Sequence, residues 1–295
     1  MISLTVFTTL CLAFWGTSAA PTNSTLERRA ATVYTRCTVP NTVALTFDDG
    51  PYSYTYDIVN ALDNAGAKGT FFVSECSHSF LHRHTTFFAD TRSNSKTETT
   101  VRHFAPLGLV CSSTHGVVCV DGCIYDQANA ARVKYAYDHG HMIGSHTWAH
   151  KDLTTLTWDQ IHDEMWRVEQ ALVKITGAYP AFMRPPYGNY NGQVLDASGI
   201  RGQGVVIWDF DSEDSLGASV QTSKNLYDST IGSHPSTILA LNHETIETTA
   251  HQVLPYAIQK LKAAGYRLVT ISECLGKPAY QSVVAPAARD STWHC

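Results

Sequence analysis

Short apolar segments with the character of β-strands alternate with helix-like segments along most of this chain of 295 residues. Such an alternation favours a parallel sheet, because each strand–helix–strand unit returns the chain to the same edge of the sheet. The length suits a closed or nearly closed barrel. We therefore predict an α/β fold, a distorted (β/α) barrel with seven parallel strands, at residues 43–47, 70–73, 141–144, 181–183, 204–207, 238–241 and 267–270.

The helical patterns between these strands have recognisable ends. Thr157 is a suitable N-cap for a helix that runs to Ile175 and is ended by Gly177. The pattern predicts further helices at residues 56–65, 128–138, 193–198, 222–231 and 251–264.

Residues 76–122 interrupt the alternation, because they show no clear period. Loops of this length inside compact domains are usually functional or disordered. Cysteines lie within or next to this stretch, so we predict an insertion that disulfides tie down. Its histidines are interpreted as solvated loop residues, with metal binding as the alternative: His78, His82, His84, His103 and His115.

The first 29 residues have the composition of export segments. Residues 1–20 hold an apolar run followed by small residues, which indicates a signal peptide. Residues 21–29 end in Arg28-Arg29 and are interpreted as a propeptide, with a flexible linker as the alternative. We expect residues 30–295 to form one domain that is secreted, extracellular or in a cell wall.

The charge and the cysteines agree with this interpretation. With 21 basic and 26 acidic residues the net charge is −5, which argues against nucleic acid or an anionic membrane as a partner. We expect a monomer.

Seven cysteines follow residue 29, so disulfides are expected with one thiol left over. A bridge between Cys37 and Cys274 would join the two ends of the domain, whereas the other pairs stay open. A zinc knuckle at Cys111, Cys119 and Cys123 is the alternative that an oxidising compartment disfavours.

Two adjacent carboxylates, Asp48 and Asp49, end the first predicted strand, and Gly50 and Pro51 then turn the chain. Functional groups gather at the carboxyl ends of parallel strands. Because neighbouring carboxylates repel each other, the pair needs a cation, a shared proton or two different roles.

His146 and His150 follow the third predicted strand, four residues apart. On a helical turn this spacing puts both rings on one face, where they can bind one ion. Two histidines and one carboxylate leave positions open for water and substrate, as in catalytic metal sites.

Three further strand ends carry polar groups. Arg184 follows the fourth strand, as a permanent cation, and the prolines after it hold the backbone N–H of Tyr187 in one direction, which suits an oxyanion donor. An acidic cluster that includes Asp211 and Asp214 follows the fifth strand, and His243 follows the sixth.

The motifs TFDDG, SHTWAH, RPPYG, WDFDSED and LALNH, in this order, resemble those of the polysaccharide deacetylase family, also called carbohydrate esterase family 4 or NodB-like. The resemblance covers about residues 40–275 apart from the insertion, and residues 123–188 look most like secreted fungal chitin deacetylases. Residues 30–295 would then be a NodB-like deacetylase domain.

The resemblance implies a role for each of these residues. Asp49, His146 and His150 would bind a divalent metal, zinc in the first place, with Co²⁺ or Mn²⁺ as alternatives. Asp48 would be the general base that takes a proton from the attacking water, and Arg184 would hold it.

On the other side of the substrate, the resemblance implies that His243 is the general acid. The carboxylate that supports it would be Asp214, with Asp211 as the second choice. The N–H of Tyr187 would stabilise the oxyanion, and Leu241 would help to form the pocket for the acetyl methyl group.

One position departs from the family pattern. Ser215 stands where family members often have a tryptophan that walls the sugar groove. We expect Trp148, or Phe87 and Phe88 from the insertion, to compensate as substrate-binding aromatics.

The resemblance implies metal-dependent removal of N-acetyl groups from N-acetylglucosamine units of chitin or chito-oligosaccharides, with release of acetate. The alternatives are an acetyl xylan esterase, which would remove O-acetyl groups, and a catalytically inactive secreted protein that binds glycans. The partner in every case is an acetylated polysaccharide or oligosaccharide.

Overall fold

A computed structural model describes residues 30–75 and 122–295 of the chain. The strands are β1 (Val33–Tyr34), β2 (Thr42–Gly50), β3 (Thr70–Val73), β4 (Met142–Ser145), β5 (Ala178–Pro180), β6 (Phe182–Met183), β7 (Gly204–Val206), β8 (Phe210–Asp211), β9 (Thr237–His243), β10 (Arg267–Val269) and β11 (Tyr280–Val283). The helices are α1 (Thr55–Asn64), α2 (Gln127–Asp138), α3 (Trp158–Thr176), α4 (Gly192–Ile200), α5 (Val220–Ser233), α6 (Leu254–Ala263) and α7 (Ile271–Leu275).

Nine strands of the described residues form one parallel sheet that curls into a half-barrel, in the order β1-β7-β6-β4-β3-β2-β9-β8. The ninth, β10, pairs with the first part of β2. The predicted α/β barrel class is therefore confirmed. The predicted count of seven strands was too low, because the two-residue strands β1 and β8 were not predicted.

Strand β2 is the centre of the sheet, and all nine of its residues are buried. It pairs with β3 on one side and with β9 over seven positions on the other, ending with Asp48 opposite His243. Because all these strands run in parallel, the residues at their carboxyl ends converge on one side of the half-barrel.

The caps predicted for α3 are confirmed. The Thr157 hydroxyl accepts a hydrogen bond from the N–H of Gln160, whose side chain in turn accepts one from the N–H of Thr157, so both form a capping box. Gly177 ends the helix at φ 80°, a left-handed conformation that glycine adopts without steric cost.

Two disulfides join distant parts of the described chain. The predicted bridge Cys37–Cys274 is confirmed, and a second bridge links Cys123 to Cys295. Cys76, Cys111 and Cys119 lie outside the described residues. So do residues 1–29, which contain the predicted signal peptide and propeptide, and residues 76–121, which make up nearly all of the predicted insertion.

Across the residues that are described, no helix has both the length and the apolar character needed to cross a membrane.

Candidate active site

A cleft of about 300 Å³ opens at the carboxyl ends of the strands. Most of the predicted site residues line it: Asp48, Asp49, His146, His150, Tyr187, Asp211, Leu241 and His243. Three others, Arg184, Asp214 and Trp148, are not part of its lining. The structure thus brings together residues from five separate strand ends.

Three buried side chains in the cleft can hold a metal ion. Asp49 Oδ1 lies 3.2 Å from His150 Nε2 and 3.4 Å from His146 Nε2. One ligand atom from each residue lies within 4.8 Å of the other two. Asp49 Oδ1 is buried and accepts no hydrogen bond from the described residues, which is a costly state unless a cation lies against it. One carboxylate oxygen and two imidazole nitrogens form a donor set that fits zinc.

The main chain fixes the tautomer of one of these histidines. His146 Nδ1 lies 2.7 Å from the carbonyl oxygen of Arg184. Because a carbonyl can only accept, Nδ1 carries a proton, and Nε2 faces Asp49 as the nitrogen that a metal ion between them would bind. Such a second bond is typical of metal-binding histidines, since it sets the orientation of the ring.

The segment that carries the two histidines is not the helical turn that their spacing predicts. Thr147 and His150 have φ values of 70° and 49°, in the left-handed region, so residues 146–150 form an irregular loop. The two rings still converge, with centroids 4.9 Å apart. A buried glutamate on α3, Glu164, accepts the N–H of Ala149 at 2.7 Å and holds this loop.

Asp49 and Tyr187 are left-handed as well, with φ values of 68° and 60°. Left-handed residues other than glycine are uncommon and cluster at active sites, where the surrounding structure holds them in place. Although burial raises the pKa of Asp49, its contacts with His146 and His150 outweigh this effect and hold that pKa well below the usual value. Asp49 is therefore an anion in the cleft.

Arg184 holds Asp48, the other carboxylate of the adjacent pair, in place. Its guanidinium is completely buried and donates to Asp48 Oδ1 at 2.8 Å and to the Thr46 hydroxyl at 2.6 Å. Further bonds to the carbonyl oxygens of Val206 and Ile207 keep the guanidinium in one position. Asp48 consequently has a permanent positive charge on one side and the cleft on the other.

His243 forms an ion pair with Asp214. Its Nδ1 donates to Asp214 Oδ1 at 2.7 Å, and its backbone N–H donates to Asp214 Oδ2 at 2.8 Å. The Thr249 hydroxyl also donates to Oδ2, at 2.7 Å. Burial lowers the pKa of His243, but the bond to Asp214 and its charge raise it to about 9. The second choice, Asp211, accepts the N–H of Glu213 instead and faces the cleft.

Trp148, the predicted substrate-binding aromatic residue, does not line the cleft. The Trp148 ring is buried under the guanidinium of Arg167, 4.0 Å from its centroid, and lines a separate cavity beside α3. The cleft is walled by Trp208 and by Leu216, whose side chain is 73% exposed. The sequence contained a signal for Trp208, which follows a predicted strand directly. Phe87 and Phe88 lie outside the described residues.

This fold and this set of side chains define a hydrolase on an α/β half-barrel. The chain belongs to the polysaccharide deacetylase family, whose model matches residues 35–202. The chitin deacetylase of Pestalotiopsis sp is 31% identical over 270 residues, which cover 88% of this chain and 74% of that protein.

Solved structures share the fold. The chitin deacetylase of the fungal pathogen Colletotrichum lindemuthianum superposes with a TM-score of 0.67 at 24% identity, covering 87% of this chain and 98% of that one. A pseudoenzyme of carbohydrate esterase family 4 from Bacillus anthracis gives a TM-score of 0.60 at 18% identity, covering 83% of this chain and 69% of the other. Because a pseudoenzyme has this fold, the fold alone does not establish an activity, which depends on the residues in the cleft.

Proposed function

We propose that this protein hydrolyses N-acetyl groups on N-acetylglucosamine units of chitin or chito-oligosaccharides and releases acetate. One observation carries the proposal: a proton acceptor, Asp48, and a proton donor, His243, flank a three-residue metal site in one cleft. Amide hydrolysis needs both groups, because a water must lose a proton and the departing amine must gain one.

The acceptor side is built around Asp48. Arg184 donates to Oδ1 and holds the carboxylate in place, and the same carboxylate lines the cleft, where it can accept a proton from the attacking water. A divalent metal held by Asp49, His146 and His150 would polarise the acetyl carbonyl and lower the pKa of water. The N–H of Tyr187 is the candidate backbone donor to the oxyanion, an interaction worth about 3 kcal/mol in comparable sites.

The donor side is built around His243. With a pKa of about 9 its ring is charged at neutral pH. Since Nδ1–H is bonded to Asp214, Nε2–H is the proton that the ring can give to the amine. Leu241 and Trp208 supply apolar surface in the same cleft, which suits the methyl group of an acetyl substituent.

Acetate release tests the proposal. The substrates are N-acetylated chitopentaose and acetylated xylan. Each is incubated with the untreated protein, with protein treated with a chelator, and with chelated protein to which Zn²⁺, Co²⁺ or Mn²⁺ has been added. We expect release from the chitin oligomer that a chelator abolishes and one of these ions restores. Faster release from xylan would favour the acetyl xylan esterase instead.

The His243→Ala variant is the matched control, because it leaves the three metal-binding side chains in place. It should keep its metal and lose nearly all turnover. Binding of the oligomer by the unmodified protein without any acetate release would identify an inactive glycan-binding protein and refute the proposal.

We also propose that the protein acts outside the cell, as a monomer. Two disulfides in the described residues support an oxidising compartment. Sedimentation of the secreted protein tests whether it is a monomer. The N-terminal residue of its mature form tests whether the chain is processed near residue 30.

A further inference from the structure

Glu244 directly follows His243 at the end of β9, and its side chain is 1% exposed. The carboxyl group does not face the cleft but lies under the turn that follows β2. There Oε1 accepts the backbone N–H of Tyr52 at 2.7 Å and the hydroxyl of Thr55 at 2.8 Å. One oxygen of a buried carboxyl group thus bonds the chain just beyond the metal-binding aspartate.

The main chain of Glu244 bonds the other side of that aspartate. Its N–H donates to the carbonyl oxygen of Asp48 at 3.1 Å. Glu244 is therefore bonded to the residue before Asp49 and, through Tyr52, to the turn after it. Since Asp49 has a left-handed φ of 68°, the bonds on its two sides hold it in a conformation that it would otherwise avoid.

Gly50 makes this arrangement possible. A Cβ atom on Gly50 would lie 2.1 Å from Glu244 Oε1, so any other residue would displace the carboxyl group. The close approach of a glycine backbone and a buried carboxyl group explains why the motif needs glycine directly after its two aspartates.

We propose that Glu244 is a positioning residue that fixes Asp49 in its metal-binding orientation and fixes the distance from Asp49 to His243. The proposal rests on the proposed function in one respect, the role of Asp49 as a metal ligand. Glu244 acts through the turn and through its neighbour, because it does not line the cleft. The role requires a hydrogen-bond acceptor at Oε1 and not a charge, since Oε2 has no hydrogen-bond partner among the described residues.

This distinction makes the inference testable with two variants. Glu244→Gln keeps a carbonyl oxygen that can accept from Tyr52 and Thr55, whereas Glu244→Ala removes the acceptor. We expect Glu244→Ala to weaken Zn²⁺ binding about 10–100-fold, the range found for residues that support a metal site from outside the ligand set, because the turn after Asp49 loses both bonds to Oε1. Competition with a chromogenic chelator measures this affinity without any substrate.

The activity of the zinc-saturated variants gives a second measurement. Glu244→Ala should lower kcat while leaving KM for the chitin oligomer unchanged, because no substrate contact is lost. Glu244→Gln should stay within about threefold of the unmodified protein in both zinc affinity and kcat, since the acceptor is preserved.

Glu169→Ala is the control for loss of a buried glutamate. Glu169 pairs with Arg201 and bonds Gln203, away from the cleft. Its substitution should lower the thermal unfolding temperature and leave zinc affinity unchanged. If Glu244→Ala behaves in the same way, Glu244 has only a structural role and the inference is wrong.

Two further outcomes would also overturn the inference. Equal loss of zinc affinity in Glu244→Gln and Glu244→Ala would mean that the charge is required. Should Glu244→Ala not fold, Thr55→Val removes one of the two bonds to Oε1, and unchanged zinc affinity in that variant would contradict the role. Failure of the premise taken from the proposed function, that Asp49 is a metal ligand, is distinguishable, because the unmodified protein would then bind no Zn²⁺ in the cleft, whereas a different substrate would leave zinc binding intact.

Discussion

Replacing Asp214 by asparagine should move the alkaline limit of activity to lower pH. Burial alone would lower the pKa of His243 from its ordinary 6.5, but the bond and the charge of Asp214 raise it to about 9. This difference corresponds to about 3 kcal/mol in favour of the charged ring. A general acid works only in its protonated form, so the elevated pKa extends activity upwards to about pH 9.

The size of the effect depends on pH. If the pKa returns to its ordinary 6.5 without the carboxylate, roughly 3% of His243 is protonated at about pH 8, which predicts a loss of about 30-fold. Near about pH 6 most of the ring is still protonated if its pKa is close to 6.5, so the loss there should be smaller. Acetate release from chitopentaose, measured from about pH 5 to 10 for both proteins, gives the two profiles.

Asp211→Asn is the control for this prediction. Asp211 also presents a carboxyl group to the cleft, but it accepts the N–H of Glu213 and is not bonded to His243. The alkaline limit of activity should therefore move much less in Asp211→Asn than in Asp214→Asn. If the limit is the same in Asp214→Asn and the unmodified protein, the general acid is another group or Asp214 does not set its pKa.

Three further predictions concern the acceptor side and the metal. Asp48→Asn should abolish turnover and leave zinc content unchanged in a metal assay; a protein without zinc would instead mean that Asp48 is the ligand. Arg184→Met should lower the free energy of unfolding in urea by about 3–5 kcal/mol, because it leaves a buried carboxylate unpaired; a loss below about 1 kcal/mol would contradict this pairing. Burial lowers the pKa of His146, but the charges of Asp48 and Asp49 raise it above its ordinary value, so the apoprotein should carry a proton on the ligand nitrogen of His146 in weakly acid buffer and release it when zinc is added; zinc binding without proton release at any pH would count against this ligand set.

The strand ends could be predicted from the sequence because each one is marked locally. An apolar run followed by a polar residue places that residue at the edge of the sheet, and parallel strands then bring distant residues such as Asp49 and His243 into one cleft. No knowledge of loop conformation is needed for this step. The sequence therefore indicated where the cleft lies and most of what lines it.

Details that depend on loop conformation were less accessible. Asp211 ends β8 and Asp214 follows it, and only the turn at Glu213, with a φ of 56°, directs Asp214 towards His243. Trp148 lies between the two histidines in sequence, but the left-handed Thr147 and His150 give that loop a path that turns the indole away from the cleft. Such turns are tertiary in origin and leave no periodic pattern.

The second disulfide is a similar case. Cys123 and Cys295 are 172 residues apart, so no local pattern connects them. Cys37 and Cys274 could be paired because they flank the first and last predicted strands, which lie side by side in the sheet as β2 and β10. The sequence predicts a bridge only where the fold itself brings the two residues together.

The left-handed residues in and next to the cleft have an evolutionary consequence. Asp49, Thr147, His150 and Tyr187 each occupy a backbone region that costs an ordinary residue about 1–2 kcal/mol. Together this is a sizeable fraction of the 5–15 kcal/mol by which a typical domain is stable. Selection for catalysis thus opposes selection for a robust fold at these four positions. A descendant freed from catalysis could relax them and gain heat resistance, a route by which this scaffold would lose its chemistry and still persist.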